Sequence, residues 1–592
     1  MSKITTGGEF LIKEADANDI FIPEEFDEEQ RMIHQTCQDF LDAEVYPNLE
    51  NLDKHEPGLM REMIAKAGEL GLLGISVPEE LSGFNQSFLT TMYANEAIGA
   101  SNSFAVAFMA QTGIGTLPIL YYGNEEQKQK YIPSLATGEK AASYCLTEPN
   151  AGSDANSGKT KAVLSEDGKH YILNGQKMWI TNGGFADVLT VFAKIDNDRV
   201  LSAFIVENEW EGVTINPEEE KMGIKGSSTT QIFFNDVKVP VENLLGKRGG
   251  GFRIALNILH IGRIKLGVNT VGASKKAINH SVNYANERKQ FGQLISNFGA
   301  IKHKLAEQTI RTYVAESATY RASKDIDDAI ENLKKEGFDK GKANVEGSAK
   351  FAVECALIKI YGSEVLDYVA DEAVQIFGGM GFSADMPVDR IYRDSRINRI
   401  FEGTNEINRL LAVDTAIKTA QKGEYDLFSH IEKTMQEIEN LSTATNLEGE
   451  YFDVRKQFVK NFKKSVLMTI GAMTAHFNRK FGTEQEIMMN ITDMMVPVYN
   501  AESTLLRIEK TENLKGADAV KIQKDILDVF LFDAADEIRK AGKTAITSFA
   551  EGKKADLYIN ALNFFTEIPS VNTKDARRRI ADKIIEENKY YL

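Results

Sequence analysis

Apolar residues recur with helical spacing from about residue 27 to residue 141. Near the start of this region, four apolar residues stand at i, i+4, i+7 and i+8, which is one face of a helix. They are Ile33, Cys37, Phe40 and Leu41. Residues 1–26 show no such spacing, and we predict a polar lead-in followed by an N-terminal helical domain over 27–141.

Between residues 142 and 245 the pattern changes to short runs rich in β-branched and aromatic residues, separated by turn residues. No ten-residue helical pattern lies between the runs, so a parallel sheet with crossover helices is not expected. We predict a small, mostly antiparallel β-barrel or sandwich with turns at Asn174-Gly175 and Asn182-Gly183-Gly184. The predicted strands are Tyr171–Leu173, Val188–Ala193, Ser202–Val206 and Gln231–Phe234.

Helical spacing returns over residues 246–420, and a further helical region covers residues 421–592. Long amphipathic patterns in the last region lie around Phe458–Phe477 and Ile522–Phe549, and the polar stretch Ser442–Glu450 is a predicted linker. The predicted fold class is therefore mainly α with a central β-domain, in the order helices, β-domain, helices, followed by a C-terminal helical extension.

Composition narrows the possible functions. The 592 residues carry a formal net charge of −17, which disfavours nucleic acid, whose binding depends on basic patches. The same charge disfavours simple adsorption to an anionic membrane and leaves other membrane contact open. The apolar run Val466–Ala475 is far shorter than the ~20 residues that span a bilayer.

The three cysteines form no C-x-x-C pair, so neither a zinc site nor a disulfide framework is indicated, and a reducing compartment fits. The first residues show no basic segment followed by an apolar one, so no secretory signal is predicted. On these grounds we expect a cytoplasmic protein.

Several common catalytic motifs are missing from the sequence. There is no G-x-G-x-x-G between a strand and a helix and no P-loop, which disfavours Rossmann dehydrogenases and P-loop NTPases. There is also no G-x-S-x-G and no H-E-x-x-H, which disfavours α/β-hydrolases and zincins. The eight histidines show no ligand spacing, and no metal site is predicted.

Four segments carry the candidate chemistry, although each alone has an ordinary structural interpretation. A lone tryptophan is usually core, a glycine cluster often ends a helix, and an arbitrary glutamate is usually solvated. Their order along the chain is more specific than any one of them. The segments are Tyr144–Asp154, Trp179–Asn182, Gln375–Phe382 and Arg399–Glu406.

With Arg288–Gly292 lying between the second and third, these segments closely resemble the acyl-CoA dehydrogenase family over residues 27–420, and most of all its very-long-chain branch. The resemblance implies a flavin, FAD, bound between the β-domain and the second helical domain. It also implies α,β-dehydrogenation of fatty acyl-CoA to trans-2-enoyl-CoA, the first step of fatty acid β-oxidation, with electrons passed to electron-transfer flavoprotein.

The resemblance also assigns roles to single residues. The loop that meets the flavin ring is similar at Tyr144, Cys145, Leu146, Thr147, Gly152 and Ser153, followed by Trp179, Ile180 and Thr181. Contacts to a neighbouring subunit's FAD are implied for Arg288, Gln290, Phe298, Gln375, Ile376, Phe377, Gly378 and Gly379. Thr404, Asn405 and Glu406 complete the flavin site, and Ser153, His260, Arg263 and Gly403 resemble substrate contacts.

The resemblance makes Glu402 the base that removes the α-proton of the thioester. A carboxylate suits this task if burial raises its pKa toward neutrality, and its neighbours Ile400, Phe401 and Gly403 offer little polarity. Some relatives carry the base at the position of Gly262, which has no side chain here. Alignment also places Val106 and Ala110 at the floor of the acyl pocket, an apolar floor that favours long chains.

Two alternatives stay open on sequence grounds. An acyl-CoA oxidase would reoxidise its flavin with oxygen, and a family member with an assembly role would not need the reaction at all. Retention of Glu402 and of the whole flavin constellation argues against a purely structural protein. Because the cofactor contacts include a neighbour's, we expect a homodimer, with the C-terminal helices covering the face that shorter tetrameric relatives use.

Overall fold

The structure of the protein is a computed structural model that describes residues 3–441 and 449–592. The predicted order of helices, β-domain, helices and further helices is confirmed. Most of the predicted linker Ser442–Glu450 lies outside the described residues. The helices of the first region are α1 (Glu28–Phe40), α2 (Leu49–Asp53), α3 (Leu59–Glu69), α4 (Phe88–Gly99), α5 (Ser103–Met109), α6 (Leu117–Tyr122) and α7 (Glu125–Ala136).

The first helix shows how the sequence fixes a helix start. The Asp27 side chain accepts from the Gln30 backbone N–H at 2.8 Å, and the Gln30 side chain accepts from the Asp27 N–H. This reciprocal cap satisfies donors that a helix start leaves without partners. On the predicted apolar face Cys37 and Phe40 are buried, as expected from the spacing.

The central domain is one eight-stranded sheet in the order β6-β7-β3-β2-β4-β5-β8, with β1 paired to β4. Its pairs are antiparallel except β1 with β4 and β2 with β4, which confirms a mostly antiparallel domain. The strands are β1 (Ala142–Cys145), β2 (Lys161–Leu164), β3 (His170–Thr181), β4 (Val188–Ile195), β5 (Ser202–Glu207), β6 (Val213–Ile215), β7 (Thr229–Pro240) and β8 (Leu244–Leu245).

The predicted turn at Asn174-Gly175 is wrong, because both residues lie inside β3 at a register shift against β7. The Asn174 amide donates to Asp236 at 2.9 Å, which accounts for a polar residue in the middle of this strand. A Cβ at Gly175 would lie 2.5 Å from Thr160 Oγ1, so the glycine permits close strand approach rather than a reversal. The turn at Asn182-Gly183-Gly184 is confirmed.

The second helical domain is built on two 37-residue helices, the first of which begins at Gly251, and on a shorter helix that packs against both. It consists of α8 (Gly251–Glu287), a two-stranded ribbon of β9 (Lys289–Gln290) and β10 (Gln293–Leu294), α9 (Gly299–Lys335), α10 (Lys340–Lys350), α11 (Ala352–Phe377), α12 (Pro387–Ser395) and α13 (Asn405–Gln421).

The C-terminal extension packs its helices against α9 and α13. At this boundary the buried Glu502 accepts from Arg321 at 3.0 Å and from Lys463, so charges from both regions are paired. Pairing is required because an unpaired buried charge is costly. The helices are α14 (Leu427–Glu437), α15 (Tyr451–Phe477), α16 (Gln485–Lys515), α17 (Lys521–Thr547), α18 (Gly552–Phe565) and α19 (Thr573–Glu587).

The lead-in is not the polar arm that its sequence predicts. Phe10 is fully buried and meets the Tyr499 ring edge-on at 5.0 Å, and the Gly8 N–H donates to Glu354 at 2.9 Å. Lys463 donates to the Lys13 carbonyl at 2.7 Å. The lead-in therefore joins the second helical domain to the C-terminal extension.

One segment, Ser103–Tyr122, is long and apolar enough by composition to cross a membrane, with a mean hydropathy of 1.4. It is longer than the ten-residue run Val466–Ala475 that the sequence singles out. Within the protein 78% of its most apolar window is buried, because α5 and α6 form an inner wall of the first domain. Its apolar character is accounted for by this packing.

Phe10→Ala is expected to destabilise the protein by about 3–5 kcal/mol, because it removes a fully buried ring between two regions. Leu514→Ala, at a side chain that is 60% exposed on α16, is the matched control and is expected to change stability by at most about 0.5 kcal/mol. Thermal unfolding of the three proteins measures this, and equal melting temperatures for Phe10→Ala and the control would contradict a structural role for the lead-in.

Candidate active site

A cavity lies where the end of β3 meets α5, α8 and the loop before α13. It encloses about 450 Å³ including its open mouth, and Val106 and Ala110 lie in its wall, as the sequence predicts. Most of the lining is apolar, which suits a hydrocarbon chain. The lining residues are Val106, Met109, Ala110, Gly113, Ile114, Thr181, Gly262, Lys265, Leu266, Phe401 and Glu402.

Glu402 reaches this cavity from a strained backbone. Its φ is 57° and that of Gly403 is 83°, both in the left-handed region that side chains other than glycine avoid. A Cβ at Gly262 would lie 2.6 Å from Glu402 Oε2 and 2.8 Å from its Cδ. Gly262 therefore does more than lack a competing base, because its bare backbone makes room for the Glu402 carboxylate.

The electrostatics of Glu402 combine burial with two nearby cations. Burial raises the pKa of Glu402 to about 7, while Arg263 and Lys359 act in the opposite direction by favouring the ionised form. Its Oε2 is buried without a partner among the described residues. The apolar residues next to Glu402 in sequence are not the whole cause of its raised pKa, since Ile400 is 47% exposed.

Lys359 is a site residue that the sequence does not reveal. Its Nζ donates to the Gly403 carbonyl at 2.8 Å and to the Asn405 side chain at 2.6 Å. Burial lowers the pKa of Lys359 to about 7. In sequence it is a lone lysine within the apolar pattern of α11, and only the fold brings it to the Glu402 loop.

Arg263 is buried beside the same loop. Its Nε donates to the Glu402 carbonyl at 3.2 Å, and its Nη1 donates to Nδ1 of His260 at 3.1 Å. A guanidinium has donors only, so Nδ1 of His260 must be the unprotonated nitrogen. Burial and the neighbouring Arg263 lower the pKa of His260 to about 3, so its ring is neutral. Arg263, a predicted substrate contact, thus lies next to Glu402, and His260, another one, lies beside Arg263.

The loop after β1 is held against β3 by hydrogen bonds. Lys177 is buried, donates to the Leu146 carbonyl at 3.1 Å and pairs with Glu148 at 2.7 Å. The Met178 N–H donates to the Thr147 carbonyl at 2.9 Å. Lys177 and Glu148 are further residues that no local pattern indicates, and they fix the loop that contains the predicted flavin contacts.

Trp179 is not a core residue. Its φ is 60°, it stands at a register shift between Lys177 and Ile180, and its side chain is 54% exposed. A large ring left open to solvent in this way marks a binding surface more often than a packing defect. Thr181, two residues on, lies in the cavity wall with Glu402.

The remaining predicted flavin contacts form a second group around the end of α8. Tyr284 stacks on Phe377 at 4.1 Å, and the exposed Phe291 meets Phe298 edge-on at 6.1 Å. A Cβ at Gly378 or Gly379 would meet nothing within 4 Å, so their backbone is open. Within the described part of the chain none of this group lines the Glu402 cavity. The group comprises Arg288, Gln290, Phe298, Gln375, Ile376, Phe377, Gly378 and Gly379.

Some predicted contacts turn their side chains away from any ligand. The Asn405 side chain accepts from Lys359 and donates to Ser363 and Glu364. Thr404 caps α13 by accepting from the Ile407 N–H. Three others, Cys145, Ile180 and Ile376, are buried in hydrophobic cores. Only the backbone groups of Asn405, Cys145, Ile180 and Ile376 remain available, whereas Gly152, Ser153 and Glu406 are exposed.

Tyr144 completes the geometry near Glu402. Its hydroxyl is buried without a partner among the described residues, and burial together with the nearby Glu402 raises its pKa well above the usual range. Buried polar atoms in proteins nearly always have partners. The Tyr144 hydroxyl and Glu402 Oε2 are two such atoms within electrostatic reach of each other, and a bound ligand would supply their partners.

Family models for acyl-CoA dehydrogenases match most of the chain. They are the N-terminal domain over residues 27–139, the middle domain over 143–237, and C-terminal domains over 249–416 and 461–563. The helix–sheet–helix order and the buried carboxylate beside an apolar cavity define the same class of protein. The chain belongs to the acyl-CoA dehydrogenase family and is an oxidoreductase.

Similar proteins span nearly the whole chain. A probable acyl-CoA dehydrogenase of Bacillus subtilis is 42% identical, covering 99% of this chain and 98% of the relative. The mitochondrial very long-chain specific acyl-CoA dehydrogenase of Macaca fascicularis is 35% identical over 83% of this chain and 76% of its own. The crystal structure of an acyl-CoA dehydrogenase complexed with FAD from Bacillus anthracis has a TM-score of 0.97 and 44% identity, and it covers 100% of both chains.

Lys359→Met is expected to raise the pKa of Glu402 above about 7, because it removes one of the two cations that favour the carboxylate. The pH at which flavin reduction by an acyl-CoA reaches half its maximum rate should then move upward. Lys359→Arg keeps the charge and should move it less. A midpoint that stays in place or falls in Lys359→Met, with flavin content unchanged, would contradict the assigned role.

Proposed function

We propose that the protein oxidises fatty acyl-CoA to trans-2-enoyl-CoA and passes the electrons to an electron-transfer flavoprotein. The observation that carries this proposal is Glu402, a carboxylate with an unpartnered oxygen in an apolar cavity and a pKa raised to about 7. A base works best when its pKa lies near the working pH. Such a group suits the removal of a weakly acidic C–H proton.

The cofactor is FAD, as in the Bacillus anthracis relative. The residues present fit a flavin, because the open face of Trp179, the half-buried Thr181 and the unpartnered Tyr144 hydroxyl all stand near the end of β3 and its adjoining loop. Bound here, FAD supplies the two-electron acceptor that takes the β-hydrogen as hydride. The protein supplies orientation, exclusion of water and the base.

Glu402 removes the α-proton. The proton moves from the substrate Cα to a carboxylate oxygen, and Glu402 becomes a neutral acid, a form that burial already favours. Charge then develops on the thioester carbonyl, where hydrogen-bond donors stabilise it most. The backbone N–H of Glu402 has no acceptor in the described part of the chain and is available for this.

The acyl chain would continue from Glu402 along the apolar wall of the cavity. Val106 and Ala110 stand where a polar side chain would close the floor. Each methylene that enters such a pocket contributes about 0.8 kcal/mol. The cavity therefore favours long chains, and electron transfer to a flavoprotein rather than to oxygen would give negligible peroxide during turnover.

Glu402→Gln is expected to slow flavin reduction by about 10²–10⁴, because the volume is kept and the base is lost. FAD and acyl-CoA should still bind, since their contacts lie elsewhere. The rate for wild type should rise with pH through about 7 as Glu402 ionises, and the variant should lose this dependence.

Stopped-flow bleaching with a long-chain acyl-CoA measures the effect of Glu402→Gln. Glu424→Gln, at an exposed carboxylate beyond α13, is the matched control and should reduce its flavin at the wild-type rate. Bleaching of Glu402→Gln at nearly the rate of the control would show that Glu402 is not the base.

We also propose a homodimer in which the second group of flavin contacts serves the neighbour's cofactor. Phe291 is 93% exposed and Phe382 is 90% exposed, and both flank this group. Aromatic side chains are enriched in subunit interfaces. The C-terminal helices pack on α9 and α13. They therefore cover the face of α9 and α13 that a further subunit would otherwise contact.

Phe291→Asp is expected to convert the dimer to monomers and to lower FAD retention, because a charge would enter the interface. Met32→Asp changes a side chain that is 64% exposed on α1 and should leave the dimer intact. Light scattering after size exclusion, with flavin absorbance, measures both properties. A wild-type tetramer, or a monomer that keeps FAD tightly, would contradict this arrangement.

A further inference from the structure

Lys265, in the middle of α8, differs from the other buried lysines of the protein. Its side chain is buried and makes one hydrogen bond, to the Thr112 carbonyl at 3.3 Å. By contrast, Lys177 and Lys463 each pair with a glutamate and also donate to a backbone carbonyl, and Lys359 donates to both the Gly403 carbonyl and the Asn405 side chain. No carboxylate pairs with Lys265 in the described part of the chain.

An ammonium group carries three donors and a charge, so one carbonyl leaves it unsatisfied. Burial lowers the pKa of Lys265 to about 8, with no opposing carboxylate. A buried cation without a partner is a cost to the folded protein, and such costs are retained where a ligand supplies the partner. If the Thr112 hydrogen bond were its whole role, a neutral donor would suffice.

The position of Lys265 connects it to the acyl cavity. Gly262 lies against Glu402, and Lys265 follows it one helical turn along α8, about 4.5 Å further along the axis. Lys265 lies in the wall of the cavity that contains Glu402, and its Nζ would be 3.7 Å from a Cβ at Gly113, another wall residue. The ammonium therefore stands where the distal part of an acyl chain would pass.

Lys265 also lies in the wall of a second cavity, which encloses about 830 Å³ including its open mouth, between α4, α6, α9 and α10. The lining of this cavity is more polar and includes Ser87, Thr91 and Asn344, in contrast to the apolar wall around Val106. Lys265 is thus the wall shared by an apolar and a polar cavity. A chain that is apolar near its thioester and polar at its far end would match this change in lining.

The carboxylates of the second cavity already have partners. Asp327 accepts from the Phe88 N–H at 3.0 Å and pairs with Lys324, and Glu331 pairs with Lys334 at 2.7 Å. Neither carboxylate is bonded to Lys265. An anionic group that entered from the acyl cavity would therefore meet an available cation first.

We propose that Lys265 determines specificity by binding a carboxylate at the distal end of the acyl chain, so that ω-carboxyacyl-CoA thioesters are a substrate class of this protein. This inference rests on the proposed dehydrogenation. The substrate carboxylate would accept two hydrogen bonds from the ammonium and form a buried ion pair. Interactions of this kind contribute about 1.5–3 kcal/mol, which is roughly a ten- to hundredfold effect on binding.

Lys265→Met in the full FAD-loaded protein tests this, because methionine fills similar space without the charge. Flavin bleaching is followed with two series of equal chain lengths, plain acyl-CoA and ω-carboxyacyl-CoA. Binding is measured in parallel with analogues that carry sulfur in place of the β-methylene and cannot be dehydrogenated. We expect wild type to bind and oxidise an ω-carboxyacyl-CoA of at least one length roughly ten- to hundredfold better than the variant does.

Plain acyl-CoA separates this inference from the proposed function. If it bleaches the wild-type flavin while Lys265→Met changes neither series, or weakens both equally, Lys265 is structural and the inference is overturned. If no plain acyl-CoA bleaches wild type, the proposed function fails instead. Lys340→Met changes another lysine of the second cavity, which is half-buried. Loss of the ω-carboxyl preference in that variant alone would place the anion elsewhere and also overturn the inference.

Discussion

The active site depends on one steric constraint, the close approach of the Gly262 backbone on α8 to the Glu402 carboxylate. A single Cβ at position 262 would lie 2.6 Å from Oε2 and displace it. The Glu402 side chain occupies this space with a left-handed backbone φ of 57°, a conformation that costs about 1–3 kcal/mol. Arg263 and Lys359 hold the loop there by donating to the carbonyls of Glu402 and Gly403. The proposed base is therefore placed by backbone geometry, and the surrounding charges and burial adjust its pKa.

The long helices that support this contact are themselves held by paired charges. Glu316 on α9 is shared by Lys275 of α8 and Arg507 of α16, and Arg507 also meets Glu24 of the lead-in at 3.0 Å. Such networks contribute little net stability compared with apolar packing. They do specify which helices meet and in what position, because each buried charge is costly without its partner. The C-terminal extension and the lead-in thus fix the relative position of α8 and α9.

The same interior contains polar groups without partners, and some of them lie at the site. Glu402 Oε2 and the Tyr144 hydroxyl are unpartnered at one end of the acyl cavity, and Lys265 has a single hydrogen bond in its wall. Elsewhere buried lysines and arginines meet carboxylates. The protein pairs its structural charges but leaves Glu402 Oε2, the Tyr144 hydroxyl and Lys265 without full sets of partners. These are the groups that the proposals assign to the reaction and to recognition, and a ligand would complete them.

The sequence by itself determined the order of helical and β regions, since periodicity is a local property, and through its resemblance to a family it pointed to Glu402 as the proposed base and to Val106 and Ala110 in the cavity wall. Only the tertiary structure showed that Lys359, Lys177 and Lys265 are buried near the site. From sequence alone, a lysine within a helix or strand is expected to be exposed to solvent. The tertiary structure also decided that Phe10 is core. Contacts between residues hundreds of positions apart leave no periodic trace, so burial and charge pairing emerge only when the chain is folded.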